Sequence, residues 1–240
     1  MTATAQPRPA AQAPPTQSQP AQGQPAQGQP AQPQAAQAPA QAQPASPPAN
    51  DAATAEQPAA IEGFRSARFG MNEQELRAAI RRDFAQAAER IVSEQTPVER
   101  TQVLTVTVPD LIPDAGTARI SYILGHRSRR LIQVTILWGP PADAAARPEA
   151  LVNAAEALRA HFGSLAWRAG SVAGGVALTD GSTLIFRGLD AQGRMAQLQA
   201  LPAAAPAGAA TATARPFGLR LAYVADPTNP DVFRLQRGQF

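Results

Sequence analysis

The chain has 240 residues, no Cys, no Lys and a formal charge of +3 at neutral pH. Without Cys there is no disulfide, thiolate nucleophile, Cys-held metal or lipid attachment through sulfur; without Lys there is no P-loop, Schiff base or Ser–Lys pair. Residues 1–60 hold one Arg and two acids, and the other acids and arginines are mostly interleaved, whereas a nucleic-acid binder shows a concentrated basic stripe with stacking aromatics.

Nucleic acid is therefore not an expected partner. No apolar run reaches the length of about eighteen residues that a transmembrane helix needs, so no span is expected. The N-terminus, Met-Thr-Ala-Thr-Ala-Gln-Pro, lacks a basic stretch followed by an apolar one and does not read as a signal peptide. Residues 1–60 are rich in Pro, Ala and Gln, with a local repeat in Gly23-Gln-Pro-Ala-Gln-Gly-Gln-Pro-Ala-Gln. Few side chains there exceed Ala, so little apolar area offsets the entropy of ordering. The expectation is a long disordered tether over 1–60, partly polyproline II, and a single α+β domain over 61–240.

Phe64-Arg-Ser-Ala-Arg-Phe-Gly70 reads as a short strand. Asn72 with Glu75 three residues on predicts a capping box, and Leu76, Ile80, Phe84, Ala87 and Ile91 recur at helical spacing. Glu73 and Arg77 can pair at i,i+4. Pro97 lies beyond the helix, Val103–Val108 is a strand, and 109–116 is a turn-rich loop.

Ala118 to Trp138 is the clearest stretch. Ile120, Tyr122 and Leu124 alternate on one flank; Ile132, Val134, Ile136 and Trp138 alternate on the other. Between them stands a polar, Gly-containing loop, so the stretch predicts a hairpin with a long tip. Pro148 opens a second helix with stripe Leu151, Ala155, Leu158 and Phe162, closed at Gly163. Strands come next over 165–168, 175–179, 183–187 and 194–201, with turns at Asp180-Gly181 and Asp190–Gly193. A mobile Pro/Ala/Thr loop is expected near 202–216. The last strand places Phe217, Leu219, Leu221 and Tyr223 on one face. The sum is α+β: two helices packed on antiparallel sheet, in two successive α-β-β-β units.

Arg68-Phe-Gly-Met-Asn-Glu-Gln-Glu-Leu-Arg-Ala-Ala-Ile80 resembles the Gly-Met-Ser/Thr-x-x-Glu-Leu/Val helix start of small envelope proteins of the BamE/SmpA type. Leu158-Arg-Ala-His-Phe-Gly followed by Trp167 is similar to a helix end and strand of periplasmic domains. That resemblance implies helices on a three-stranded sheet and an accessory role in outer-membrane assembly. The chain lacks that family's lipid-attachment Cys and adds the tether and a second helix-and-strand unit.

The densest basic cluster is His126-Arg127-Ser-Arg129-Arg130 in the hairpin tip. Guanidinium groups bind phosphate or carboxylate bidentately, so the tip is either a solvated turn or a site for an anionic partner. Of the two histidines, His126 is a turn residue and His161 ends the second helix; neither has the sequence context of a triad or a zinc site. Asp226-Pro-Thr-Asn-Pro-Asp231 reads as a Pro/Asn/Asp turn, with too few oxygen ligands for a calcium loop, and Gly170, Gly174 and Gly175 do not make a dinucleotide fingerprint. No catalytic, cofactor or metal residues are expected. The expected function is a non-enzymatic binding or accessory protein of the bacterial envelope (periplasm) with a protein partner. A cytoplasmic interaction or regulatory protein that recruits acidic partners through the arginine tip is the alternative, and a hydrolase using His126 or His161 is a third.

Overall fold

The alternation between Ala118 and Trp138 demands cover for one apolar face, and the computed structural model shows what supplies it. The structure describes residues 57–140, 142–202, 217–235 and 238. The first half of the described chain contains β1 (Gln57–Pro58), β2 (Gly63–Phe64), β3 (Ala67–Arg68), α1 (Glu73–Asp83), α2 (Ala85–Ala88), β4 (Val92–Gln95), β5 (Gln102–Val108), β6 (Ala118–Leu124) and β7 (Leu131–Trp138). The second contains α3 (Pro148–Gly163), β8 (Leu165–Ala166), β9 (Val176–Ala177), β10 (Thr183–Leu189), β11 (Met195–Pro202) and β12 (Phe217–Val224).

Eight strands form one sheet in the order β4-β5-β6-β7-β12-β11-β10-β9, every neighbouring pair antiparallel. Together with the three helices this makes a mixed α+β fold. In each half a helix precedes the meander of strands that enters this sheet. The final strands of the two meanders, β7 and β12, meet at the centre, with Ile136 opposite Leu221. The order therefore reads alike from either edge.

Registers place one unbroken apolar row across the sheet: Val106, Ile120, Ile136, Leu221, Leu198 and Phe186. Successive side chains of a strand point to opposite faces, so these six share one face. Leu76, Ala79 and Ile80 of α1, and Leu151, Ala154, Ala155 and Phe162 of α3, are buried with them in one core. Trp138 and Tyr122, on that face, are the largest fully buried side chains among the described residues, 1% and 0% exposed. The Tyr122 hydroxyl and the Trp138 indole N–H have no hydrogen-bond partner among the described residues. Burial pushes the Tyr223 hydroxyl up to about 12. It pushes Tyr122 up as well, with the Asp83 charge adding to the effect.

Local chemistry explains the helices. Asn72 accepts from the Glu75 backbone at 3.0 Å while the Glu75 side chain accepts from the Asn72 backbone at 2.8 Å, a closed capping box. Arg77 pairs Glu73 at 2.8 Å. The expected single helix is broken at Phe84, whose backbone (φ −143°, ψ 58°) leaves the helical region before α2 begins. That break turns the Phe84 ring onto Phe64, 6.5 Å between centroids, under the Arg65 guanidinium at 5.0 Å. Three helices stand where two were expected for this reason. Pro148 occupies the first turn of α3 as expected.

Other departures have equally local causes. The strand expected over 64–70 is a tight pair, β2 with β3, reversed through Arg65 at φ 53°; Asp83 holds the reversal by accepting from the Ser66 N–H at 2.9 Å. Ile132 does not join the core face, because a register shift opposite Ile123–Leu124 hands the inward place to Leu131, 1% exposed. The first half carries an additional short edge strand, β4, and β9 is a two-residue remnant of the strand expected over 175–179, so each half gives four strands to the sheet. Of the segment expected to be a mobile loop, Pro202 belongs to β11, and 203–216 lie outside the described residues, as do 1–56.

Gln57–Ala60, assigned by sequence to the tether, belong to the fold. β1 pairs in parallel with β8, the Ala59 N–H donates to the Ala166 carbonyl at 2.8 Å, and Ala59 is buried. Buried Asp190 anchors the chain just beyond, at Ile61. Its carboxylate accepts from the backbone N–H groups of Ile61, Gln192 and Arg194, each at 2.9 Å.

A chain beginning at Gln57 is expected to melt with the full-length protein, whereas one beginning at Ile61 melts lower, by about 2–4 °C for each kcal/mol lost. Calorimetry of both decides; equal melting of the two would refute a structural role for Gln57–Ala60. Trp138→Ala is expected to cost about 3–5 kcal/mol, and Trp138→Phe, which keeps a ring and discards the unpartnered N–H, distinctly less. Denaturant titration separates them, and a Phe variant as unstable as the Ala variant would contradict packing as the main contribution.

Candidate functional site

The β6–β7 tip spans residues 125–130. The Gly125 N–H donates to the Arg130 carbonyl at 2.8 Å and the Arg129 N–H to the Gly125 carbonyl at 3.1 Å. Arg129 takes the left-handed backbone (φ 51°), and Ser128 Oγ accepts from the Arg130 N–H at 3.2 Å. These bonds hold the loop without using the arginine side chains.

A strap formed by residues 225–235, after β12, crosses this tip. The Ala225 N–H donates to the Ile132 carbonyl at 2.9 Å, and Asp226 closes a turn by accepting from Thr228 N–H and Oγ–H and from Asn229 N–H. Asp231 then docks. Its carbonyl accepts from the His126 N–H at 2.8 Å. Its carboxylate accepts from the Arg127 N–H at 3.1 Å and the Ser128 N–H at 2.8 Å. The Phe233 N–H reaches the Glu99 carbonyl at 2.8 Å; its ring takes the His126 ring edge-on at 5.5 Å and lies under the Arg100 guanidinium at 3.8 Å.

Desolvation pushes the Asp231 carboxyl up, but hydrogen bonds from Ser128 and the Arg127 backbone, with the charge of His126, outweigh it and hold the group below its usual range. Asp226 is held low by the Asn229 and Thr228 bonds.

The structure divides the predicted cluster. Arg130 turns back to α1, donating to the Gly70 carbonyl at 3.2 Å and standing 3.9 Å from Glu75. Arg127 faces the strap and, with Pro230, Val232, Arg234 and Leu235, lines a groove of about 280 Å³. Arg129 is exposed. His126 is turned away from the arginines onto Phe233, its Nδ1 3.3 Å from the Arg100 carbonyl oxygen. His161 packs its ring against Phe162, 5.3 Å between centroids. A second, wider groove of about 930 Å³ runs between α3 and the 172–175 segment beside β10. Gly174 there lies so close to the Ile185 carbonyl that a side chain has no room, which gives that glycine a packing purpose. Among the described residues no three His, Cys, Asp or Glu side chains converge as a metal site.

Sequence reasoning missed Asp231 and Arg234 as parts of the tip. The Asp226–Asp231 oxygens read as a turn in the sequence, and for Asp226 that reading matches the geometry; Asp231 instead acts across a gap of more than a hundred residues. Comparison with family models, with curated proteins and with solved structures returns no match.

The Asp231 docking has a pH signature. A carboxylate whose folded-state pKa is depressed stabilises the fold above its unfolded value, 3.8, and that contribution is lost as pH falls through the lower folded value. Asp231→Asn removes this contribution, so the wild-type advantage in melting temperature is expected near neutrality and should vanish in acid. Melts of both chains on a pH series check it; a constant difference down to the acid limit would count against the carboxylate.

Proposed function

We propose that this chain is a non-enzymatic binding or accessory protein whose hairpin tip recognises an acidic protein partner through Arg127, Arg129 and Arg130. The observation that supports this most directly is the tip's construction. The loop's own backbone and Ser128 bonds fix its shape, while Arg127 and Arg129 remain exposed. A rigid loop presenting guanidinium groups loses little entropy when it binds carboxylates. His126 packs edge-on against Phe233 with its Nδ1 toward the Arg100 carbonyl oxygen, and His161 lies against Phe162, surroundings that favour binding over hydrolysis.

The envelope is the proposed compartment. The Pro/Ala/Gln composition of residues 1–60 and the likeness of Arg68–Ile80 to the BamE/SmpA helix start support it. The capped α1 gives that likeness a physical basis, since Asn72 and Glu75 close the box its motif encodes. The two halves are further proposed as two copies of one helix-and-meander unit, a reading supported by the palindromic strand order. Fractionation of the native host tests the compartment: recovery in the cytosol alone would remove the envelope placement and leave a cytoplasmic interaction role for the same tip.

Replacing Arg127, Arg129 and Arg130 together with Gln is expected to weaken binding of a short Asp/Glu peptide and to flatten its salt dependence, because exposed charge pairs are screened within about 8 Å at physiological ionic strength. Replacement with Glu should weaken it further. Stability should change by no more than about 1 kcal/mol, since among the described residues only Arg130 of the three has an ion-pair partner and that pair is exposed. Affinity at two salt concentrations reads the outcome; unchanged binding in both variants would eliminate the tip as the site.

A further inference from the structure

Among the described residues Asp231 forms no ion pair with a guanidinium group. Its carboxylate rests on two consecutive backbone N–H groups, those of Arg127 and Ser128. Adjacent N–H groups aimed at one point form a concavity that binds anions whatever molecule carries them. Gly125 keeps that concavity open: a methyl group at position 125 would overlap Asp231 Oδ2 and Ser128 Oγ. The strap that carries Asp231 is irregular chain, and its remaining hold on the tip is small. It consists of the His126 N–H bond to the Asp231 carbonyl, and Phe233 on His126, Arg100 and Glu99. The turn at Asp226 is satisfied within itself and stands whether the tip is engaged or not.

We infer that the strap is the tip's own competitor: Asp231 fills the carboxylate seat that a side chain of an acidic peptide takes when it binds, so the peptide must displace the strap. This rests on the tip being the acidic-partner site proposed above. A partner's Asp or Glu offers the same two oxygens to the same N–H groups, with Arg127 and Arg129 beside them to receive its other charges. The strap in its seat occupies the N–H groups and sets a negative charge beside Arg127. Apparent affinity for an acidic peptide is then the intrinsic affinity reduced by the fraction of molecules with the seat vacant.

The test uses the full chain and a fluorescent, C-terminally amidated peptide of Asp and Glu. Two variants empty the seat by different routes: Asp231→Ala removes the carboxylate, and Phe233→Ala loosens the strap. Each is expected to bind the peptide about tenfold more tightly than wild type, the factor for losing roughly one charge-assisted hydrogen bond from the competing state. Gly125→Ala, whose methyl group takes the place of Oδ2, blocks the seat for strap and peptide alike and is expected to bind no more tightly than wild type. The Arg127 and Ser128 amide resonances should shift when peptide is added to wild type. Thermal melts confirm folding, and if Asp231→Ala proves unfolded Phe233→Ala carries the comparison. The arginine-to-Gln triple variant, combined with each opening substitution, separates the two ideas. Binding lost with the arginines but unchanged or weakened by both opening substitutions shows that Asp231 builds the tip rather than competing for it, and overturns this inference alone. Binding indifferent to the arginines, strap open or closed, overturns the site and the inference together.

Discussion

One dry face on an eight-stranded sheet is the condition that the rest of the molecule satisfies. The row from Val106 to Phe186 crosses six strands, and alternation ties every second residue of those strands to the same side. A slip by one residue in any pairing would exchange Ile136 or Leu221 for Thr135 or Ala222. Helices α1 and α3 are needed because that face is too large to close on itself; their Leu, Ala, Ile and Phe side chains complete one core. The bulge at Ile132 and the break at Phe84 serve the same condition. Each alters a local backbone so that a large side chain, Leu131 or Phe84, reaches the dry side.

Where signals are local, the sequence revealed them. Strand alternation around Ile120 and Ile136, the Asn72–Glu75 box, Pro148 in a first helical turn and the Asp180-Gly181 turn each lie within a few residues, and each stands in the structure. What escaped is built from long-range pairing. Nothing in Gln57-Pro58 announces a parallel partner at Leu165, and β4, exposed along its whole length, has no buried face from which a pattern could be read. Phe84 fits the helical stripe in sequence; only its stacking on Phe64 explains why the helix stops there.

The tip shows the same division. Its arginines are visible in the sequence as a cluster, but their unequal surroundings are not. Arg130 is drawn to α1 by the Gly70 carbonyl, Arg127 borders the strap, and Arg129 is set outward by its left-handed backbone. Asp231 could be found only from structure, because carboxylate and N–H donors come from distant parts of the chain. A turn-forming acid late in a sequence looks alike whether it closes its own turn, as Asp226 does, or caps another.

The meeting of β7 and β12 also sets an order of events in synthesis. Strands β4 to β7 succeed one another and can pair as soon as they are made, whereas β12 is the last strand of the sheet to leave the ribosome. Until it arrives, β7 presents an unpaired edge bearing Val134, Ile136 and Trp138, the kind of edge along which strands of other chains add. Closing that edge late requires bringing distant parts of the chain together, a step slowed by loop-closure entropy. The newly made first half therefore carries an edge open to strand addition, and β12 protects it as much as it completes the sheet.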